Sequence, residues 1–200
     1  MQHILGLLSN PHQEWSRIRD EKQSIAGQYL RFLIWIAIIP PVAWWYGASQ
    51  IGWVLGGRTI LLTSDSAAQI MGLFYIAILL SIGFLGYMIF WMAKTYDGKN
   101  NDVARAIAVA SYMCTPMFLV GITGLYPVLW FDMIAGTVAA AYTLYLLYIG
   151  IPIVYDMPKE RGFLFASATV AVGLVLMVAL LGATVILWEM GAMPVFMDGA

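Results

Sequence analysis

Charged residues are scarce in this sequence. Only 10% of its 200 residues are Asp, Glu, Lys or Arg, and 62% are hydrophobic, whereas an average soluble domain has about 25% charged residues. A chain of this length cannot bury so much apolar surface in water, which excludes a soluble globular protein. The Lys and Arg residues are scattered and the net charge is −1, which excludes the basic surface of a nucleic-acid binder.

Cysteine and histidine are scarce as well. Cys114 is the single cysteine, which excludes an intramolecular disulfide and a cysteine-based zinc site. His3 and His12 have no cysteine or carboxylate at metal-ligand spacing. The sequence also contains no nucleophile elbow, phosphate-binding loop or His-Glu-x-x-His motif. We therefore expect no enzymatic activity, no metal and no cofactor.

Five apolar runs are each long enough to cross a bilayer as a helix, which takes about 20 residues. They cover residues 28–48, 67–93, 104–125, 128–151 and 163–188. Apolar and polar residues do not alternate in these runs, so strands of a membrane barrel are not expected. We predict an all-α integral membrane protein with five transmembrane helices within residues 28–188.

Positively charged residues predict the orientation, because Lys and Arg are retained on the cytoplasmic side of inserting helices. Nine of the ten lie on one side of the predicted spans, and only Arg58 lies on the other. The nine are Arg17, Arg19, Lys22, Arg31, Lys94, Lys99, Arg105, Lys159 and Arg161. We predict that the segment 1–27 is cytoplasmic and that the tail 189–200 lies outside the cytoplasm.

The N-terminal segment contains a helix-start signature. Asn10 precedes Pro11, and Gln13 follows Asn10 by three residues. Apolar residues then recur at helical spacing among charged ones, which predicts a short amphipathic helix lying on the inner membrane surface. The alternative is a docking surface for a membrane or cytoplasmic protein partner, formed by Trp15, Arg17, Arg19 and Lys22.

Short motifs in the third and fourth runs are characteristic of a family. Residues 111–116 read SYMCTP, residues 145–152 read YLLYIGIP, and Ser9-Asn10-Pro11 precedes Trp15 and Ile18. This pattern resembles the bacterial branch of the Yip family, the Ypt-interacting membrane proteins. The five-span topology with a cytoplasmic N-terminus matches as well. The resemblance implies a small multi-pass protein of the bacterial inner membrane, without a defined activity.

Prolines interrupt two predicted spans. Pro40-Pro41 lies near the middle of the first and Pro116 near the middle of the third, and each ring removes a backbone donor. At 1.5 Å per residue, Tyr112, Tyr142 and Tyr145 lie about 9–13 Å from the cytoplasmic ends of their helices. We predict that a hydroxyl of Tyr142 or Tyr145 satisfies polar groups near Tyr112 and Pro116 in a packed core. The alternative is a polar cavity for a lipid headgroup or small solute.

Asp132 is the one acid clearly inside a predicted span. Intramembrane acids are functional candidates by default, although this one lies only about 7 Å from the outer end of its helix. We expect it to be interfacial or paired with Arg58. The alternative is a role in an ion or proton path.

The absence of catalytic motifs and the family resemblance together favour a non-enzymatic membrane organiser or adaptor. The alternative is a small channel, transporter or lipid-handling protein built around the broken first and third spans. The expected partners are the lipid bilayer and a membrane or cytoplasmic protein, without nucleic acid. Small residues at four-residue spacing in the second and fifth spans favour close helix packing, within one chain or in a homo-oligomer.

Overall fold

The computed structural model of the protein describes residues 3–99 and 101–197. Four helices are long and apolar enough to cross a membrane, and a bent pair of shorter helices supplies a fifth crossing when its halves count as one span. Spans one to five are Ile25–Ile51, Ser64–Thr95, Val103–Met113 with Thr115–Leu125, Leu129–Val154, and Lys159–Ala192. The predicted all-α membrane fold is confirmed, and the predicted spans overlap these helices throughout.

Span three crosses the bundle despite its bend. Its far end reaches the far end of span one, where a Cβ atom on Gly124 would lie 2.6 Å from Cδ1 of Trp44. The bend of 42° falls at Cys114. Pro116 lies in the first turn of the second half, where the missing proline N–H costs no helical hydrogen bond.

Span one is irregular in three places, of which the last is a π-helical turn over Gly47–Ile51. A π-helical turn covers Tyr29–Leu33, and the α-helix is interrupted at Ile38 before it resumes as Ile39–Tyr46, with proline in its first turn. The predicted breaks at the prolines of spans one and three are therefore confirmed. The break of span one lies beside the second half of span three, since a Cβ atom on Gly121 would be 2.5 Å from Cγ of Pro40.

The connection between spans one and two forms a short β-hairpin, which was not predicted from the sequence. Strands β1, Trp53–Leu55, and β2, Arg58–Ile60, pair antiparallel. Gly56 and Gly57 form the two-residue turn with φ of 59° and 79°, values that glycine adopts without strain. The C-terminal tail lies at this same end of the bundle, because the Val195 amide donates to Ser66 Oγ over 3.0 Å.

Two short helices precede span one. They are α1, His3–Ser9, and α2, Pro11–Asp20. The Asn10 side chain accepts a hydrogen bond from the Gln13 amide, which confirms the predicted helix start. Trp15 and Ile18 of α2 are fully buried, and Trp15 packs so closely on span four that a Cβ atom on Gly150 would lie 2.6 Å from its Cε2. The apolar side of α2 therefore packs on span four and not on lipid, while the predicted location of the helix at the inner membrane surface stays a prediction.

Span five is the most peripheral helix. Apart from Ala192 at its far end, its buried residues, Gly162, Phe165, Ala166 and Thr169, lie in its first half. Phe165 stacks on Tyr96 with ring centroids 5.2 Å apart, which fixes this half to the end of span two. A Cβ atom on Gly173 or Gly182 of span five would have no other group within 4 Å among the described residues. The close packing predicted for these small residues therefore does not occur within the described chain.

Candidate functional site

The helix α1 lies deep against the bundle, between spans three and four. The Tyr142 hydroxyl of span four donates hydrogen bonds to the carbonyl oxygens of Leu7 and Leu8, at 2.9 and 3.3 Å. Tyr142 stands twelve residues before the end of span four at Val154, which is about 18 Å along the helix axis. The end of α1 thus reaches a depth at which polar groups need partners within the protein.

His3 and two acids of the N-terminal segment form a polar cluster where α1 meets α2. The Nδ1 atom of His3 lies 2.5 Å from Glu14 Oε1, and its Nε2 atom lies 3.2 Å from Glu21 Oε2. Arg17 Nη1 adds a contact of 3.2 Å with the other oxygen of Glu14. His3 and Glu14 are buried, and the edge of the His3 ring faces Tyr112 with the centroids 5.2 Å apart. These contacts hold α1 and α2 together.

A polar cavity of about 360 Å³ opens beside this cluster. Its lining residues come from the N-terminal segment, the start of span one and span three: His3, Glu21, Lys22, Gln23, Ser24, Gly27, Gln28, Arg31, Phe32 and Tyr112. Gln28 is only 4% exposed, and its Nε2 donor has no acceptor among the described residues. The π-helical turn of span one begins at the next residue. Such turns are frequent at functional sites.

The loops near the end of α2 are held by ion pairs. Together with α2 they form the N-terminal face, which we define as α2 and the loops 96–99, 101–102 and 155–158. Lys99 Nζ lies 2.9 Å from Asp156 Oδ2, and Arg161 pairs with Asp97. Lys99 holds the pKa of the Asp156 carboxyl below its usual value, so this pair is charged at neutral pH. The N-terminal face is therefore a connected surface.

Comparisons with known proteins identify the family. The Yip1 domain matches residues 5–180. The chain belongs to the Yip1 domain family. It is 39% identical to the inner membrane protein YohC of Escherichia coli strain K12 over 192 residues, which cover 96% of this chain and 98% of that protein. The same values hold for YohC of Escherichia coli O6:H1 strain CFT073. No solved structure matches.

In this Yip1-domain chain, Tyr112 and Tyr142 both contact α1, and Tyr145 packs on Tyr142. Tyr112 contacts α1 through His3, and Tyr142 contacts it through its hydroxyl. Tyr145 packs on the Tyr142 ring with centroids 5.5 Å apart and is 46% exposed. The prediction that a span-four hydroxyl satisfies the region around Pro116 is wrong, because Tyr142 donates to α1. Pro116 itself is buried at the bend.

Asp132 and Arg58 do not form the predicted pair. Asp132 lies in the first turn of span four, and neither of its carboxylate oxygens has a hydrogen-bond partner among the described residues. Arg58 is exposed on strand β2. Within the described ranges no ion pair connects the two side chains. The location of Asp132 near the hairpin end agrees with the expected shallow depth, but the expected cation is elsewhere.

The four residues predicted for a partner surface differ in their exposure in this Yip1-domain protein. Trp15 is fully buried, which removes it from any exposed surface. Arg17 and Lys22 are exposed and Arg19 is partly exposed. Arg19 Nε bonds Asp20 Oδ1 over 2.8 Å, and this bond lowers the pKa of Asp20 and raises the pKa of Arg19.

Three residues of this Yip1-domain site, His3, Glu14 and Gln28, were not predicted from the sequence. One signal for Glu14 was available, because it stands four residues before Ile18 and next to Trp15, on the apolar side of α2. An acid in that place needs a buried partner, and His3 provides it. Within the described part of the chain, His3 and its acids do not form a group that could hold a metal ion.

Proposed function

We propose that this protein is a non-enzymatic membrane organiser or adaptor that offers its N-terminal face to a protein partner in the bacterial cytoplasm. The observation that carries this proposal is the fixed position of α2. Trp15 and Ile18 fasten one side of the helix to the bundle, while His12, Gln13 and Arg17 remain exposed on the other. An exposed polar surface on a rigid base loses little conformational entropy on binding.

The interior of the bundle also favours an organiser over a channel. A transport path would have to connect the polar cavity at Tyr112 with Asp132 near the hairpin end. Asp132 and Tyr142 are ten residues apart on span four, about 15 Å along the axis. Of the residues buried on span three near that level, Met113, Pro116 and Phe118 are apolar, and Thr115 contributes a single hydroxyl. Another cavity, of about 640 Å³ between spans two, three and five, has an almost entirely apolar lining.

The inner-membrane location of the relative YohC supports the membrane assigned here. The cytoplasmic orientation of the N-terminal face is supported by the nine cations on that side of the spans. Several of them, including Lys99 and Arg161, lie in the ion pairs that connect its loops.

Photocrosslinking in cells tests the proposal. A photoreactive amino acid replaces Gln13 or Arg17, both exposed on α2, and the matched control replaces Val54, which is 71% exposed on the hairpin. We expect a discrete protein adduct from the α2 positions and not from position 54. An adduct of twice the chain mass would identify the partner as a second copy. Solute flux through liposomes containing the purified protein, without any α2 adduct, would contradict the proposal.

A further inference from the structure

The polar cavity beside Tyr112 has a buried amide donor in its lining. Gln28 is 4% exposed and lines the cavity. Its side chain faces the Tyr112 hydroxyl, but its Nε2 atom makes no hydrogen bond of normal geometry with a described residue. Burying an amide donor without a partner is unfavourable. A ligand that supplies acceptor oxygens would remove this cost.

The charges around the cavity point to an anion. Lys22 and Arg31 lie at its exposed rim, and neither belongs to an ion pair with a described residue. The acid in the lining, Glu21, is already in contact with Nε2 of His3 at 3.2 Å. Two cations and one amide donor therefore remain for a ligand, and they match the oxygens of a phosphate group.

The depth of the cavity matches the level of lipid headgroups. Arg31 lies six residues after the start of span one at Ile25, about 9 Å along the axis. The headgroup region extends about 5–8 Å beyond the hydrocarbon on each side of a bilayer. Phe32 provides an apolar wall next to these polar groups. A phosphate with attached acyl chains fits this combination better than a free ion does.

We propose that this cavity binds the phosphate group of an anionic phospholipid, with Lys22, Gln28 and Arg31 as its donors. Tyr112 and Phe32 form the wall behind the headgroup. The π-helical turn after Gln28 allows span one to present Gln28, Arg31 and Phe32 to the same cavity. This site does not depend on the proposed partner of α2, so either proposal can fail alone.

Native mass spectrometry of the full-length protein in detergent tests the site. The protein is titrated with dioleoylphosphatidylglycerol, and dioleoylglycerol, which lacks the phosphate, serves as the matched ligand. One variant is Gln28→Met, which keeps the side-chain length and removes the donor. A second is the double variant Lys22→Gln/Arg31→Gln, whose exposed positions leave folding intact. The control is Lys159→Gln, an exposed cation outside the cavity.

We expect one phosphatidylglycerol per chain, bound at least about tenfold more weakly by both cavity variants, because each loses hydrogen bonds to the charged phosphate. Lys159→Gln should bind as the original protein does. Equal binding of dioleoylglycerol, or unchanged binding in both cavity variants, would overturn the proposal. Inorganic phosphate is tested separately by calorimetry, and binding as tight as that of the lipid would overturn the assignment to a phospholipid.

Discussion

The hydroxyl of Tyr142 provides hydrogen bonds that the end of α1 needs. The last carbonyl groups of any helix have no partner within the helix, and those of Leu7 and Leu8 both accept from Tyr142. Replacing Tyr142 with Phe should therefore destabilise the protein by about 1 kcal/mol. Unfolding by increasing SDS in mixed micelles measures this change.

Tyr145→Phe is the control for this prediction. Tyr145 lies on the same helix and packs on the Tyr142 ring, and no hydrogen bond of its hydroxyl occurs among the described residues. Its replacement should leave the unfolding midpoint unchanged. Equal midpoints for Tyr142→Phe and the original protein would show that the α1 carbonyls are satisfied in another way.

Residue depth could be predicted from the sequence, but the partners of these residues could not. Counting along the helices placed Tyr112 and Tyr142 at similar levels, and both indeed approach one feature, the helix α1. Counting gives no rotation about the helix axis, so it cannot show what each ring faces. With only seven residues, α1 is too short to be predicted from periodicity.

At the scale of elements, the docking of α2 on span four depends on Gly150. A Cβ atom there would approach the Trp15 ring to 2.6 Å, and this ring is fully buried. Gly150→Leu should displace α2 and cost about 1–3 kcal/mol through overpacking. Hydrogen exchange of the peptide containing residues 11–20 should become faster in this variant.

Gly136→Leu serves as the comparison for this prediction. Gly136 belongs to the same span, and a Cβ atom there would have no other group within 4 Å among the described residues. Exchange in α2 should not change in this variant. Equally slow hydrogen exchange of α2 in the Gly150→Leu and Gly136→Leu variants would contradict the prediction. It would show that the packing of Trp15 on Gly150 does not keep α2 in place.

The spans themselves were predictable because a helix must be about 20 apolar residues long to cross the hydrocarbon. The surroundings of α2 were not. Its apolar residues Trp15 and Ile18 suit a lipid surface and a protein surface equally, because lipid tails are as apolar as side chains in a bundle. The burial of both residues became evident only with the position of span four.

At the scale of the whole molecule, the two ends of the bundle are held together by different contacts. The N-terminal face carries the pairs Lys99 with Asp156 and Arg161 with Asp97. The opposite end carries the hairpin and the C-terminal tail, which are connected through Ser66 and Val195. The described chain therefore begins at one end and finishes at the other, as an odd number of crossings requires.

Cysteine labelling in cells tests which end faces the cytoplasm. Cys114 is the only native cysteine, so the Cys114→Ala variant contains no cysteine. Single cysteines are then introduced at two exposed positions, as Arg58→Cys on the hairpin and as Lys159→Cys beside the N-terminal face. Because the cations should be retained in the cytoplasm, we expect a membrane-impermeant maleimide to label position 58 in intact cells. Position 159 should react only after the inner membrane is permeabilised. Labelling of position 159 in intact cells would reverse the orientation and place the α2 surface and the phosphate cavity outside the cytoplasm.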